Sequence, residues 1–163
     1  MSISQTATLS EAEALSAELA SLKAGDRLKV LHERYGKRLV ASTSFGLQAA
    51  VMLDLISRNA PEIPVIFIDT GYHFPETYQY AEDLTQRFGT DLRVYHPTHS
   101  AARIEALWGK LWEQGKEGLS KYGVLTKVEP MDRALRETGG GVWVSGLGRR
   151  QSSTRVGRPF AEQ

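Results

Sequence analysis

Apolar residues recur along the first part of the chain at intervals of three and four, the spacing that lines one face of a helix. Leu15, Leu19 and Leu22 follow the capping-box string Ser10-Glu11-Ala12-Glu13, which predicts a helix to about Ala24. A second helix is expected from Asp26, a good N-cap, through Val30, Leu31 and Tyr35 to a stop at Gly36. The pattern then changes. Arg38-Leu39-Val40-Ala41 is a short buried strand, and residues 47–58 form a helix apolar almost all round and so covered on several sides. Pro64-Val65-Ile66-Phe67-Ile68 is continuously apolar until Asp69, as in a parallel strand buried on both faces. Residues 75–88 suit a helix, with Pro75 in its first turn and Gly89 just past its end, and residues 92–95 supply a third strand.

Residues 100–108 read as a further helix, 109–126 as irregular, and 131–137 as a short helix begun after Pro130 and broken by Gly139-Gly140-Gly141. Val142-Trp143-Val144-Ser145 is a fourth strand. Strands alternating with helices, without internal repeats or long linkers, predict an α/β fold with a doubly wound, mainly parallel sheet. At 163 residues the chain is expected to form one domain, with 1–37 a helical N-terminal segment and 147–163 an arginine-rich tail.

Charge and composition narrow the function. Lys+Arg 20 against Asp+Glu 19 leaves a net charge of +1, which gives no global field for a nucleic acid or a membrane surface. No apolar run reaches the roughly 18 residues of a membrane helix, and the start lacks a signal-peptide pattern, so a cytoplasmic protein is expected. The absence of cysteine excludes a disulfide scaffold, an iron–sulfur cluster, a zinc–thiolate site and any thiol nucleophile from these residues. Arg149, Arg150, Arg155 and Arg158 against Glu162 make the last stretch locally cationic.

In doubly wound sheets ligands bind beyond the carboxyl ends of the strands. Three segments are expected there. Ser42-Thr43-Ser44-Phe45-Gly46 joins a strand to a helix and offers hydroxyls and N–H groups to an anion, without the spacing or lysine of a Walker A loop. Asp69-Thr70-Gly71-Tyr72-His73-Phe74-Pro75-Glu76-Thr77 places an acid and aromatic rings beside it, where an adenine or ribose fits. Asp69 also has two other readings: an N-cap for the next helix, or the Asp-Thr-Gly of an aspartic protease, which needs a mainly β fold. The third segment is Lys127 with Gly146, Arg149, Arg150 and Arg155, whose cations suit a polyanion. His96 and His99 lack the companions of a metal site, and Trp108, Trp112 and Tyr122, which could stack on a base or on another subunit, are expected to be ordinary aromatic packing.

Taken in order, these strings, together with Gly109-Lys110-Leu111-Trp112-Glu113-Gln114-Gly115 and Lys127-Val128-Glu129-Pro130-Met131-Asp132-Arg133-Ala134-Leu135, resemble the phosphoadenylyl-sulfate (PAPS) reductases from about Arg38 onward. The resemblance implies an adenine-nucleotide α-hydrolase-like fold with Ser42, Ser44, Gly46, Asp69, Lys127, Gly146, Arg149 and Arg155 around the substrate. It implies attack of a thiolate on the sulfur of PAPS, release of adenosine 3′,5′-bisphosphate, and liberation of sulfite by thioredoxin as external reductant, in sulfate assimilation and cysteine biosynthesis. It also implies pairing into a homodimer. Related adenylyl-sulfate reductases carry paired cysteines before the Lys-Val-Glu-Pro string. Tyr122-Gly123-Val124-Leu125-Thr126 stands there in this chain, which indicates the cluster-free branch with no bound cofactor.

Two departures stand out. Gly148 replaces the first arginine of the usual Gly-Leu-Arg-Arg string, and the sequence stops at Gln163, whereas the family continues to a Glu-Cys-Gly-x-His segment that supplies the nucleophile. No catalytic residue is therefore assigned. The expectation is a shortened reductase that keeps the nucleotide platform, or a non-catalytic nucleotide binder; an ATP-dependent adenylating relative is the alternative.

Overall fold

The computed structural model describes residues 3–146 and 158–162, with residues 3–10 described in their backbone alone. Residues 147–157, including Arg149, Arg150 and Arg155, lie outside the described residues. Four strands, β1 (Leu39–Thr43), β2 (Val65–Ile68), β3 (Leu92–Tyr95) and β4 (Val142–Ser145), form one sheet in the order β3-β2-β1-β4. All pairings among them are parallel. The doubly wound, mainly parallel α/β class expected from the sequence is the class observed, and every strand pairing among the described residues is parallel.

Helices α1 (Ile3–Ala20), α2 (Ala24–Tyr35), α3 (Ala49–Asn59) and α4 (Pro75–Phe88) precede or connect the first three strands. Leu15, Leu19, Leu28, Leu31, Leu53, Ile56 and Leu84 from these helices pack with Leu39, Ala41, Val65 and Phe67 of the sheet. Strand side chains alternate between faces, so Val40 and Ile66 point the other way, onto Ala134, Met131 and Leu135 of α7 (Glu129–Thr138). Burial on both sides explains why the central strands read as unbroken apolar runs. No helix among the described residues is long and apolar enough to cross a membrane.

Several boundaries differ from the sequence reading. Ser10 lies inside α1 rather than at its start, because no glycine or proline interrupts the chain from Ile3. Asp26 falls in the first turn of α2, where its charge faces the positive helix end, and is not the N-cap. On α3 the buried residues are Ala49, Leu53 and Ile56, while Val51 is exposed, so one face rather than several is covered. Residues 100–108 match α5 (Ala101–Trp108), capped by the Ser100 hydroxyl accepting from the Arg103 N–H.

The stretch expected to be irregular is helical. A 3-10 turn at Leu111–Glu113 leads into α6 (Gly115–Gly123), and a π-helical turn at Val124–Val128 runs straight into α7. Its glycines lower helix propensity, but fully buried Leu111 and Thr126 tie it down. The far end of α7 closes on Gly139 in the left-handed conformation (φ 69°), and the Gly141 N–H donates to the Arg38 carbonyl at the amino edge of the sheet. The α7 residue Arg133 donates to the His96 carbonyl just past β3, so α7 starts at the carboxyl edge of the sheet and runs back across it.

Candidate functional site

The sheet order turns back on itself at β1 and β4, which are neighbours although α3, β2, α4, β3, α5, α6 and α7 separate them in sequence. Crevices open at such reversals, because consecutive connections leave in opposite directions. The segment after β1, residues 44–48, and Gly146 after β4 both emerge there.

In the serine loop, Phe45 has φ 50°, a left-handed conformation that residues with a β-carbon rarely adopt. Its ring is buried and meets Phe67 edge-on at 5.0 Å, and the Thr43 hydroxyl accepts from the Phe45 N–H at 3.1 Å. With Phe45 turned inward, Ser44 and Gly46 are exposed on either side of it. Ser42, still in β1, accepts a 2.8 Å hydrogen bond from the Trp143 indole on β4. A β-carbon on Gly146 would lie 3.7 Å from Met52 in the first turn of α3. Ser44, Gly46 and Gly146 are thus gathered around the start of α3, while the Ser42 side chain lies on the α7 face of the sheet beside Trp143.

Lys127 stands on the side of the sheet that α7 covers. It lies in the π-helical turn just before α7, whose first residues sit at the carboxyl edge, and is exposed. Its ammonium lies 6.0 Å from the Tyr122 ring centre, and it makes no ion pair among the described residues. A π turn inserts one residue into a helix and redirects side chains, and such turns are frequent at functional sites. Arg149 and Arg155 lie outside the described residues.

Asp69 is placed at the end of β2 but does not offer a free carboxylate. One oxygen accepts from the Gly71 N–H and from the Tyr78 hydroxyl, each at 2.8 Å, and the other lies 3.4 Å from His96 Nδ1. The group is only 14% exposed. Its N-cap reading is corrected: Phe74 precedes α4, and the Asp69 side chain closes its own turn instead. The protease reading falls as well, because Asp69 ends a parallel strand and is followed by α4 rather than by a β domain.

Aromatic side chains frame this end. Tyr72, Trp112 and Tyr122 meet edge-on at 5.1–5.9 Å, which makes them the packing cluster expected of Trp112 and Tyr122. Trp108 packs separately, against His99 and under Lys121. The link from Asp69 to His96 and Tyr78 is what the sequence reading missed, since no local signal pairs residues so far apart. A shallow groove along β3 is lined by Arg93, His96 and Arg133, but Asp91, Asp69 and Glu129 already engage these three groups, so it is no anion site.

Burial raises the Tyr78 phenol above its ordinary value, and the hydrogen bond to Asp69 adds to this. Burial likewise raises Tyr72, helped by Glu105, and Tyr95, helped by Glu137. A phenol raised in the folded state stabilises fully below the unfolded value of about 10, and that stability is lost as pH rises through the folded value. Urea unfolding between about pH 8 and 11 should therefore show falling stability above about pH 10, with a shallower fall in Tyr78→Phe. Equal slopes in both proteins would remove Tyr78 as a contributor.

A parallel sheet flanked by helices, with the serine loop and Gly146 leaving side by side at the β1/β4 reversal, defines a doubly wound α/β fold. The model of the phosphoadenosine phosphosulfate reductase domain matches residues 38–163, and the chain belongs to that family. A phosphoadenosine 5′-phosphosulfate reductase of Thiocapsa roseopersicina is 50% identical over 141 residues, which are 86% of this chain and 59% of that protein. One from Xylella fastidiosa is 49% identical over 155 residues, 95% of this chain and 65% of its own length. The crystal structure of the PAPS reductase from Candida auris, a phosphate complex, superposes with a TM-score of 0.69 at 31% identity, covering 82% of this chain and 65% of that one. The adenine-nucleotide α-hydrolase-like fold implied by the resemblance is the one shared with that structure. The chain spans about three fifths of the length of the curated relatives it matches.

Proposed function

We propose that this chain is the nucleotide-binding platform of a cytoplasmic, thioredoxin-dependent PAPS reductase of sulfate assimilation, holding PAPS and its product adenosine 3′,5′-bisphosphate. The observation that carries this reading is the convergence of the serine loop and Gly146 at the β1/β4 reversal; on this reading Lys127, exposed in the turn before α7, closes on the same anion. The hydroxyls of Ser42 and Ser44 and the amide of Gly46 suit phosphate oxygens, and Lys127 adds a charge that no acid among the described residues pairs. Arg149 and Arg155 complete the anion set on this reading. Asp69 acts at one remove, holding Tyr78, His96 and the Gly71 turn at the carboxyl end of β2.

The chemistry on PAPS is displacement at sulfur: a thiolate forms the S–S bond, the S–O bond to the phosphate breaks, and adenosine 3′,5′-bisphosphate leaves with the electron pair. The dithiol of reduced thioredoxin then takes over the S-sulfocysteine, becoming a disulfide as sulfite departs. None of the 163 residues is a cysteine, so they bind and orient the nucleotide while the thiolate comes from outside them. No bound cofactor enters this scheme.

Titration calorimetry with adenosine 3′,5′-bisphosphate tests the reading. Lys127→Ala and Arg155→Ala should each weaken binding by roughly 1.5–3 kcal/mol, the worth of a charge-assisted hydrogen bond. Unchanged affinity in both removes the anion-site assignment. Thermal stabilisation by ATP alone, with none by the bisphosphate, would favour an adenylating relative instead.

A further inference from the structure

We infer that Trp143 is a positioning residue for the anion site, its indole N–H fixing the Ser42 hydroxyl as a donor toward the ligand. This rests on the nucleotide-binding reading above. In the β1/β4 register Val40 lies beside Trp143 and Ser42 beside Ser145, so the indole leans along the sheet by one pair of residues to reach Ser42. The contact is 2.8 Å from Nε1 to Oγ and joins residues 101 positions apart.

Burial does not explain a tryptophan here. Trp143 is 51% exposed, whereas its neighbours Val142 and Val144 turn to the other face and pack against the core. What tryptophan supplies over phenylalanine is one N–H that can only donate. A serine hydroxyl has one proton and two acceptor lone pairs. Once the indole occupies a lone pair, the hydroxyl proton points elsewhere, and it makes no hydrogen bond among the described residues. Receiving one hydrogen bond also polarises the O–H and makes it a stronger donor. The result is a hydroxyl preset to give its proton to an anionic oxygen arriving at the carboxyl edge.

The test is a double-mutant cycle on the whole 163-residue chain, read by calorimetry with adenosine 3′,5′-bisphosphate. Trp143→Phe should weaken binding about five- to tenfold, with its thermal midpoint unchanged, and Ser42→Ala at least as much. Adding Trp143→Phe to Ser42→Ala should cost nothing more, because the indole acts only through that hydroxyl. In ¹⁵N spectra without ligand, the indole signal that Trp143→Phe deletes should move upfield in Ser42→Ala. Full affinity in Trp143→Phe, a loss that persists undiminished in the Ser42→Ala background, or an unmoved indole signal overturns the inference alone. Absence of binding by the unsubstituted chain overturns the nucleotide reading, and this inference with it.

Discussion

Phe45→Ala is expected to destabilise the fold by about 3–5 kcal/mol, the range for removing a buried phenylalanine, and to weaken nucleotide binding more than tenfold. Two opposing effects meet at this residue. The left-handed backbone at φ 50° costs about 1–2 kcal/mol for any side chain with a β-carbon. The ring offsets it: 5% exposed, it stands edge-on to Phe67 and holds the turn between β1 and α3. Alanine keeps the backbone cost and loses the anchor, so the turn relaxes and Ser44 and Gly46 lose their shared orientation. Phe45→Gly removes the backbone cost as well, and should recover about 1 kcal/mol of stability without recovering affinity. Urea denaturation and calorimetry on both variants check this. Midpoints within about 0.5 kcal/mol of the unsubstituted chain would show that the Thr43 hydrogen bond, and not the ring, sets the turn.

The parts of this molecule legible in its sequence are those with a local cause. Val65-Ile66-Phe67-Ile68 is apolar because both faces of a central parallel strand are covered, and the same run reports the strand. Pro75 and Gly89 mark the ends of α4 because one tolerates a missing N–H and the other a positive φ. What stayed hidden has a distant cause. α6 contains Gly115, Gly118 and Gly123, which argue locally against a helix, and is held by packing against the Leu111–Glu113 turn. Asp69 reads as a ligand or a cap, yet its carboxylate is taken up by Tyr78 and His96, which belong to the next helix and the end of the next strand. Position in the site followed the same division. The serine loop and Lys127 stand out by residue type, but only the return of β4 to the side of β1 brings Gly146 and Trp143 to the serine loop.

Gly118 offers the sharpest test of that packing. A β-carbon there would overlap the Leu111 carbonyl oxygen and stand 2.7 Å from the Gln114 β-carbon, and a backbone carbonyl cannot swing aside as a side-chain tip does. Alanine is the better helix former by about 0.5–1 kcal/mol, but overpacking against fixed backbone costs about 1–3 kcal/mol or more. Gly118→Ala should therefore be destabilising by about 2 kcal/mol, with the Leu111–Glu113 turn pushed off α6 and Trp112 displaced from Tyr72 and Tyr122. A shift in tryptophan fluorescence would accompany the lower melting temperature. Gly123 is the internal control: it has ordinary helical backbone (φ −58°) and nothing within 4 Å of its missing β-carbon. Gly123→Ala should stabilise by about 0.5–1 kcal/mol, since alanine there loses less chain entropy on folding. Equal effects of the same sign in the two variants would mean that close contact with Leu111 does not hold α6 in place, and that the path from this helix through the aromatic cluster to Lys127 is slack.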